Sequence, residues 1–237
     1  MSIASSLISF IRDKYSTNDF IPLHAPVFVG NEKKYVIDTI ESTFVSSVGA
    51  YVNQFEDMMR KLTKTQKAVA VVNGTAGIQV ALQLVGVAHG EEVITQALTF
   101  VATANAIRYN GAIPIFIDVD LDTMGLSPKA VNQFLEEFGE LREEGCFNKK
   151  TGNKISACLP MHTFGFPVHL DELKAVCDAW NIPIVEDAAE SLGSEYKNQP
   201  TGSIGDMGVF SFNGNKIVTC GGGGAIVTNN EQLGMKG

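Results

Sequence analysis

The chain reads as an α/β fold, three-layered, with a mostly parallel sheet of seven strands between helices. Three observations predict it. Seven short runs, rich in β-branched residues, are apolar nearly throughout, which suits strands covered on both faces. Between several of them lie stretches whose apolar residues recur at helical spacing. Strand and helix patterns that alternate in this way belong to parallel α/β sheets with helices on both sides.

The strands are expected at residues 68–72, 92–95, 113–117, 156–160, 183–186, 207–211 and 225–228. A helix is expected to start at Thr75 and to carry Ile78, Ala81, Leu82 and Val85 on one face. Ser127 and Pro128 supply the N-cap and first residue of a second helix. Its stripe of Val131, Phe134, Leu135, Phe138 and Leu141 runs on toward Gly145. Leu170, Leu173, Val176, Cys177 and Trp180 form a third stripe. Residues 146–154, with three lysines, two asparagines and Gly152, read as an exposed turn before a strand. Residues 1–26 read as an N-terminal arm and 27–237 as the folded domain. Asn230, Glu231, Gln232 and Leu233 begin another helix close to Gly237, so the chain reads as truncated.

Composition bounds the function. At about 150 residues per domain, 237 residues make one large domain or two small ones. Apolar residues at 45% and charged ones at 19% are ordinary for a globular protein. A net charge of −8, from 18 basic and 26 acidic residues, argues against a nucleic-acid or anionic-membrane surface. The four cysteines are far apart, and the four histidines form no metal-binding pair, so neither a zinc site nor a disulfide framework is indicated. No window reaches the apolar length of a membrane span. A cytoplasmic protein is the expectation.

In parallel α/β sheets, ligands collect at the carboxyl ends of strands, and four features fall there. Asn73-Gly74-Thr75-Ala76-Gly77 joins a strand to a helix start, where free N–H groups suit a phosphate. Glu186-Asp187-Ala188-Ala189-Glu190-Ser191 places acids after a strand, where a carboxylate can hold a cationic ring nitrogen protonated. Ser211-Phe212-Asn213-Gly214-Asn215-Lys216 ends on a lysine able to act as an amine nucleophile. Four consecutive glycines, Gly221 to Gly224, allow the backbone to pass close to a ligand or another chain. Each also has an ordinary reading: a helix cap, a turn aspartate, a solvated lysine, a flexible loop. Neither glycine segment fits a nucleotide fingerprint, which weighs against ATPase and Rossmann oxidoreductase readings. The order of the four is specific, because pyridoxal phosphate needs an anion cradle, a carboxylate for its ring nitrogen and an amine for its aldehyde.

With these residues the chain resembles the DegT-type (DegT/DnrJ/StrS) nucleotide-sugar aminotransferases, a family with the aspartate-aminotransferase fold, whose large domain is that of fold type I. The likeness runs from about Phe20 to the end. It includes Ile21-Pro22-Leu23, Gly30-Asn31-Glu32, Phe55-Glu56, Asn73-Gly74-Thr75-Ala76, Leu98-Thr99-Phe100-Val101-Ala102-Thr103-Ala104-Asn105 and Phe116-Ile117-Asp118-Val119-Asp120, besides the acidic and lysine segments above. Ser42-Thr43-Phe44-Val45-Ser46-Ser47-Val48-Gly49 and the segment ending at Lys216 are similar to the LegC-like subgroup.

The resemblance implies pyridoxal 5'-phosphate held by Gly74, Thr75, Ala76 and Ser211 at its phosphate and by Asp187 at its pyridinium nitrogen. Phe100 would stack on the ring, and Glu190, where many relatives have glutamine, would lie near the phenolic oxygen. Lys216 would form the Schiff base and carry the proton in transamination, so Lys216 and Asp187 are the expected catalytic residues. His162 matches a motif near the site and reads equally as a structural histidine. Lysine at 216 argues against the family's dehydratase branch, which has histidine there. Implied partners are an amino-acid donor such as glutamate, a UDP-linked 4-keto-6-deoxy-N-acetylhexosamine acceptor from surface-polysaccharide or nonulosonic-acid synthesis, and a second copy in a homodimer. The family's smaller C-terminal domain would follow Gly237. The alternative is a non-catalytic remnant that binds cofactor or sugar nucleotide, or serves as an interaction domain.

Overall fold

The computed structural model describes residues 2–235. Seven strands build its centre: β1 (Lys67–Val71), β2 (Glu92–Gln96), β3 (Ile113–Ile117), β4 (Ile155–Leu159), β5 (Val185–Asp187), β6 (Met207–Ser211) and β7 (Gly224–Thr228). Ladders join β1, β7, β6 and β5 in that order, and β3, β2 and β4 in a second set. Parallel bridges at Cys158–Ile184 and Met161–Asp187 close the seam between β4 and β5. The sheet order is therefore β1-β7-β6-β5-β4-β2-β3. Only β7 runs against its neighbours.

The helices are α1 (Ile3–Tyr15), α2 (Glu32–Ser42), α3 (Ala50–Thr63), α4 (Gly74–Leu84), α5 (Val101–Tyr109), α6 (Pro128–Phe138), α7 (Leu170–Ala179) and α8 (Glu231–Gly234). Alternation along the strands sorts them into two layers. Val93, Ala157, Leu159, Val209 and Ile226 pack with Ile78, Ala81 and Leu82 of α4 and with Ala106 and Ile107 of α5. Their sequence neighbours Ile94 and Cys158, with Ile184 beside Val185 of the first layer, face the other way, against Val131 and Leu135 of α6 and Leu170, Leu173 and Cys177 of α7. On that side Met59 of α3 joins Phe210, Ala225 and Val227. The expected three-layer α/β sheet is present.

Three local readings are corrected. The second stripe stops being helical at Phe138: Gly139–Arg142 pairs antiparallel with Gly145–Asn148, and Leu141 is exposed. At Gly139 a Cβ would lie 2.4 Å from the Leu135 carbonyl oxygen and 2.7 Å from the Trp180 ring, so only glycine lets the chain turn there. The expected turn at 146–154 is shorter, because Cys146 and Asn148 are buried. Asn148 donates to the buried Glu92 carboxylate at 2.9 Å and ties this hairpin to β2. Finally, α4 starts at Gly74 and not at Thr75, and it is capped by Asn73, whose Oδ1 accepts the Ala76 N–H at 2.8 Å.

In the arm, α1 has no buried residue, and farther along His24 Nε2 lies 3.0 Å from the Gly214 carbonyl oxygen. All four cysteines are free thiols, and burial pushes that of Cys146 up to about 11. Among the described residues no helix is long and apolar enough to cross a membrane.

Candidate active site

The carboxyl ends of β1, β2, β4, β5 and β6 border a cleft of about 440 Å³. Seven of the eight residues expected at a site line it: Gly74, Thr75, Phe100, Asp187, Glu190, Ser211 and Lys216. Ala76 lies behind them, with its N–H occupied by Asn73.

Asp187 is the last residue of β5 and is 3% exposed. Neighbouring strands fix its backbone: its N–H donates to the Pro160 carbonyl at 2.8 Å, and its carbonyl accepts from the His162 N–H at 3.1 Å. The next residue, Ala188, donates to Val209 of β6 at 2.9 Å. The carboxylate is held as well, with Oδ2 accepting from the Thr103 hydroxyl at 2.8 Å and Oδ1 from the Ala189 N–H at 3.2 Å. Burial pushes its pKa above the ordinary aspartate value, although these two donors and the charges of His162 and Lys216 oppose the rise.

Lys216 stands on the loop between β6 and β7. The Cys220 N–H donates to the Phe212 carbonyl at 3.1 Å, which pulls the two sides of this loop together. The lysine side chain is 10% exposed, and its Nζ donates to Glu190 Oε1 at 3.1 Å. It lies 5.8 Å from the centroid of the Phe100 ring. The other Glu190 oxygen accepts the Phe164 N–H at 3.1 Å, so one carboxylate joins the lysine to the 163–165 turn.

The glycines serve close approach. A Cβ on Gly74 would sit 2.8 Å from Ser211 Cβ, and one on Gly224 would sit 2.7 Å from the carbonyl carbon of Asn73. The turn after β1 can therefore lie against β6 and β7 only while these positions lack side chains. Gly221, with φ +86°, lines the cleft itself.

His162 is outside the cleft lining. It is fully buried, with Nε2 2.9 Å from Glu186 Oε2. Glu186 also accepts the N–H groups of Gly202, Ile204 and Gly205 at 2.6–2.8 Å. Burial raises the Glu186 pKa, but His162 and the Gly205 and Gly202 N–H groups outweigh it and hold the carboxyl below its ordinary value. A carboxyl held low stabilises the fold above its unfolded pKa of about 4.3 and loses that contribution as pH falls through the lower folded value. His162→Ala is expected to lower unfolding free energy by about 3 kcal/mol at neutral pH. The gap to the wild type should narrow in acid, as Glu186 takes up a proton. Urea unfolding at pH 7 and pH 3 measures it, and an equal gap at both would mean that the pair has no specific role.

Sequence reasoning assigned no role to Thr103 or Asn73, which the structure brings to the cleft wall, or to Thr99, whose hydroxyl stands 2.7 Å behind that of Thr103. A signal was present for the threonines: one helical turn separates Thr99 from Thr103 within a segment already singled out through Phe100.

A three-layer α/β domain that presents a lysine and a buried aspartate across a strand-end cleft, beside a glycine turn, defines the class as an aminotransferase-type domain. Residues 28–236 match the model of the DegT/DnrJ/EryC1/StrS aminotransferase family, and the chain belongs to that family. It is 41% identical over 211 residues to EpsN of Bacillus subtilis (strain 168), a match covering 89% of this chain and 52% of that one. With GDP-perosamine synthase of Escherichia coli O157:H7 it shares 37% identity over 214 residues, covering 90% and 54%. The crystal structure of an aminotransferase from Psychrobacter cryohalolentis superposes with a TM-score of 0.80 at 32% identity, covering 92% of this chain and 51% of that one. The chain spans about half the length of the curated relatives it matches.

Proposed function

We propose that residues 27–237 form the cofactor-binding part of a pyridoxal 5'-phosphate-dependent aminotransferase, with residues 1–26 as an arm, that transfers an amino group from an amino acid to a nucleotide-linked keto-sugar. The single observation that carries this is Lys216 and Asp187 lining one cleft that also holds the Gly74 turn. The donor set fits the cofactor. A buried carboxylate suits a cationic ring nitrogen, and a sheltered amine suits an aldehyde. The first turn of α4 offers N–H groups without intrahelical partners to a phosphate.

Bound pyridoxal phosphate supplies the electron sink that makes the amino acid Cα acidic. The chain's own residues do the rest. Lys216 would hold the group through its aldehyde with loss of water and, once displaced by the donor's own amine, would be the base for the donor Cα proton, with Glu190 keeping Nζ in the cleft. Asp187 would keep a proton on the ring nitrogen, and the positive charge there would offset the burial that otherwise favours the neutral acid. Thr75 N–H and the Ser211 hydroxyl would hold the phosphate, beside the Ala76 N–H that here donates to Asn73 Oδ1. The α4 N-terminus adds its positive end to that site. Phe100, 62% exposed at the cleft, covers the ring.

The acceptor is a UDP-linked 4-keto-6-deoxy-N-acetylhexosamine and the donor an acid such as glutamate, in a cytoplasmic route to amino sugars. What supports a sugar nucleotide is the company of relatives, among them GDP-perosamine synthases and DesI, solved with its TDP-sugar product. The working form is a homodimer. Exposed Ile3, Leu7, Ile8 and Phe10 on α1, an apolar face without cover in the monomer, support it.

An absorbance spectrum of the purified chain with pyridoxal phosphate, before and after excess glutamate, tests the reading. The expected result is a visible band that glutamate bleaches. A band that glutamate leaves unchanged would reduce the chain to cofactor binding, and absence of any band would overturn the assignment.

A further inference from the structure

The Asp187 carboxylate is served from one direction by a short chain of hydroxyls. Thr103 is fully buried on α5, and its hydroxyl reaches Asp187 Oδ2 at 2.8 Å from 84 residues away in sequence. Thr99 Oγ1 lies 2.7 Å from Thr103 Oγ1 and 3.2 Å from Met161 Sδ. Each hydroxyl has one proton to give, and an ionised carboxylate can only accept. With Asp187 charged, the directions are therefore fixed: Thr99 donates to Thr103, and Thr103 donates to Asp187. With Asp187 protonated, the chain can reverse only by ending on the Met161 thioether, a weak acceptor. Both hydroxyls then favour the charged carboxylate, and aligned hydrogen bonds strengthen one another.

Resting on the cofactor reading above, we propose that Thr103, backed by Thr99, is a positioning residue that holds Asp187 oriented and ionised for a cationic ring nitrogen. Phe100 belongs to the same turn, so residues 99–103 serve both the face and the nitrogen of the ring. The other charged or titratable groups around Asp187 are His162, bound to Glu186, on the β4 side, and Lys216, bound to Glu190, on the loop after β6. These remain in every variant below, so differences between variants report on Thr103.

The test compares Thr103→Val, which keeps the shape and removes the hydroxyl, with Thr103→Ser, which restores it. Thermal unfolding of the cofactor-free chain needs no activity. Asp187 has a raised folded pKa, so its ionisation lowers stability as pH climbs from the unfolded value of about 3.9 to the folded one. Without the Thr103 donor that loss continues to higher pH. The Tm deficit of Thr103→Val is expected to widen by about 2–4 °C from pH 4 to pH 8, to shrink in Thr103→Ser, and to stop depending on pH in an Asp187→Asn background. Pyridoxal phosphate should also bind Thr103→Val about tenfold more weakly. A deficit independent of pH, or one that Ser does not rescue, overturns the proposal and leaves Thr103 a packing residue. If the wild-type chain binds no cofactor while the pH-dependent deficit is present, the cofactor reading fails and the coupling of Thr103 to Asp187 stands.

Discussion

Lys216→Ala is expected to abolish the visible cofactor band and to reduce transamination by about 10⁴-fold, the upper range for a group that moves a proton in the rate-limiting step. Among the described residues no other amine lines the cleft, so none of them offers a substitute nucleophile. The fold should survive. Glu190 loses its partner, yet it is itself a quarter exposed and keeps the Phe164 N–H. Lys216→Arg separates charge from chemistry: the guanidinium can pair with Glu190 but cannot act as the amine nucleophile. Both variants should lack the band, read by absorbance against the wild type. Retained absorbance and turnover in either would mean that another residue carries the reaction.

Asp187→Asn is expected to separate function from stability. An amide cannot stabilise a cationic ring nitrogen as a carboxylate does, and loss of one such preorganised charge partner corresponds to about 10²- to 10³-fold in rate. Stability should move the other way. Burial raises the Asp187 pKa, so the wild-type fold binds a proton more tightly than the unfolded chain and is weakened as pH rises through that window. Asparagine has no ionisation, so the Tm of the cofactor-free variant, relative to wild type, should climb between pH 4 and neutrality. Normal transamination by this variant would move the ring-nitrogen partner elsewhere. A Tm difference that falls with pH would contradict the environment described for Asp187.

The sheet was legible in the sequence because its strands are short, mostly apolar runs, buried on both faces as in residues 155–159 and 224–228. Residues 113–117 were placed to the residue, although Ile113 and Phe116 of that edge strand are exposed. Strand direction left no such trace. Apolarity has the same period whichever way a strand runs, so nothing in residues 225–228 announces that β7 opposes its neighbours. The end of α6 was missed for a related reason. Leu141 continues the helical spacing, whereas the chain turns extended at Gly139 to pair with Gly145–Asn148, and the Trp180 ring that leaves no room for a side chain at 139 lies 41 residues on, unseen by a local pattern. At the site, residues at or just beyond a strand end, such as Asp187, Ser211 and Gly74, could be picked out as candidates. Thr103 could not, since its partner is remote, and a buried threonine in a helix looks like packing until the carboxylate beside it is known.

The two principal side chains of the cleft are mounted on different material. Asp187 belongs to the sheet, its backbone bonded to β4 and its neighbour Ala188 to β6. Lys216 belongs to a loop, tied at its neck through Phe212 and Cys220 and otherwise free of the strand ladders. One works as a fixed jaw and the other as an adjustable one. Substitutions between residues 213 and 223 can lengthen, shorten or reorient the amine's reach while the fixed jaw stays in register. A change of equal size in β5 would displace three strands together. Variation that retunes the reaction can thus accumulate on the lysine side without dismantling the frame against which that reaction is aligned.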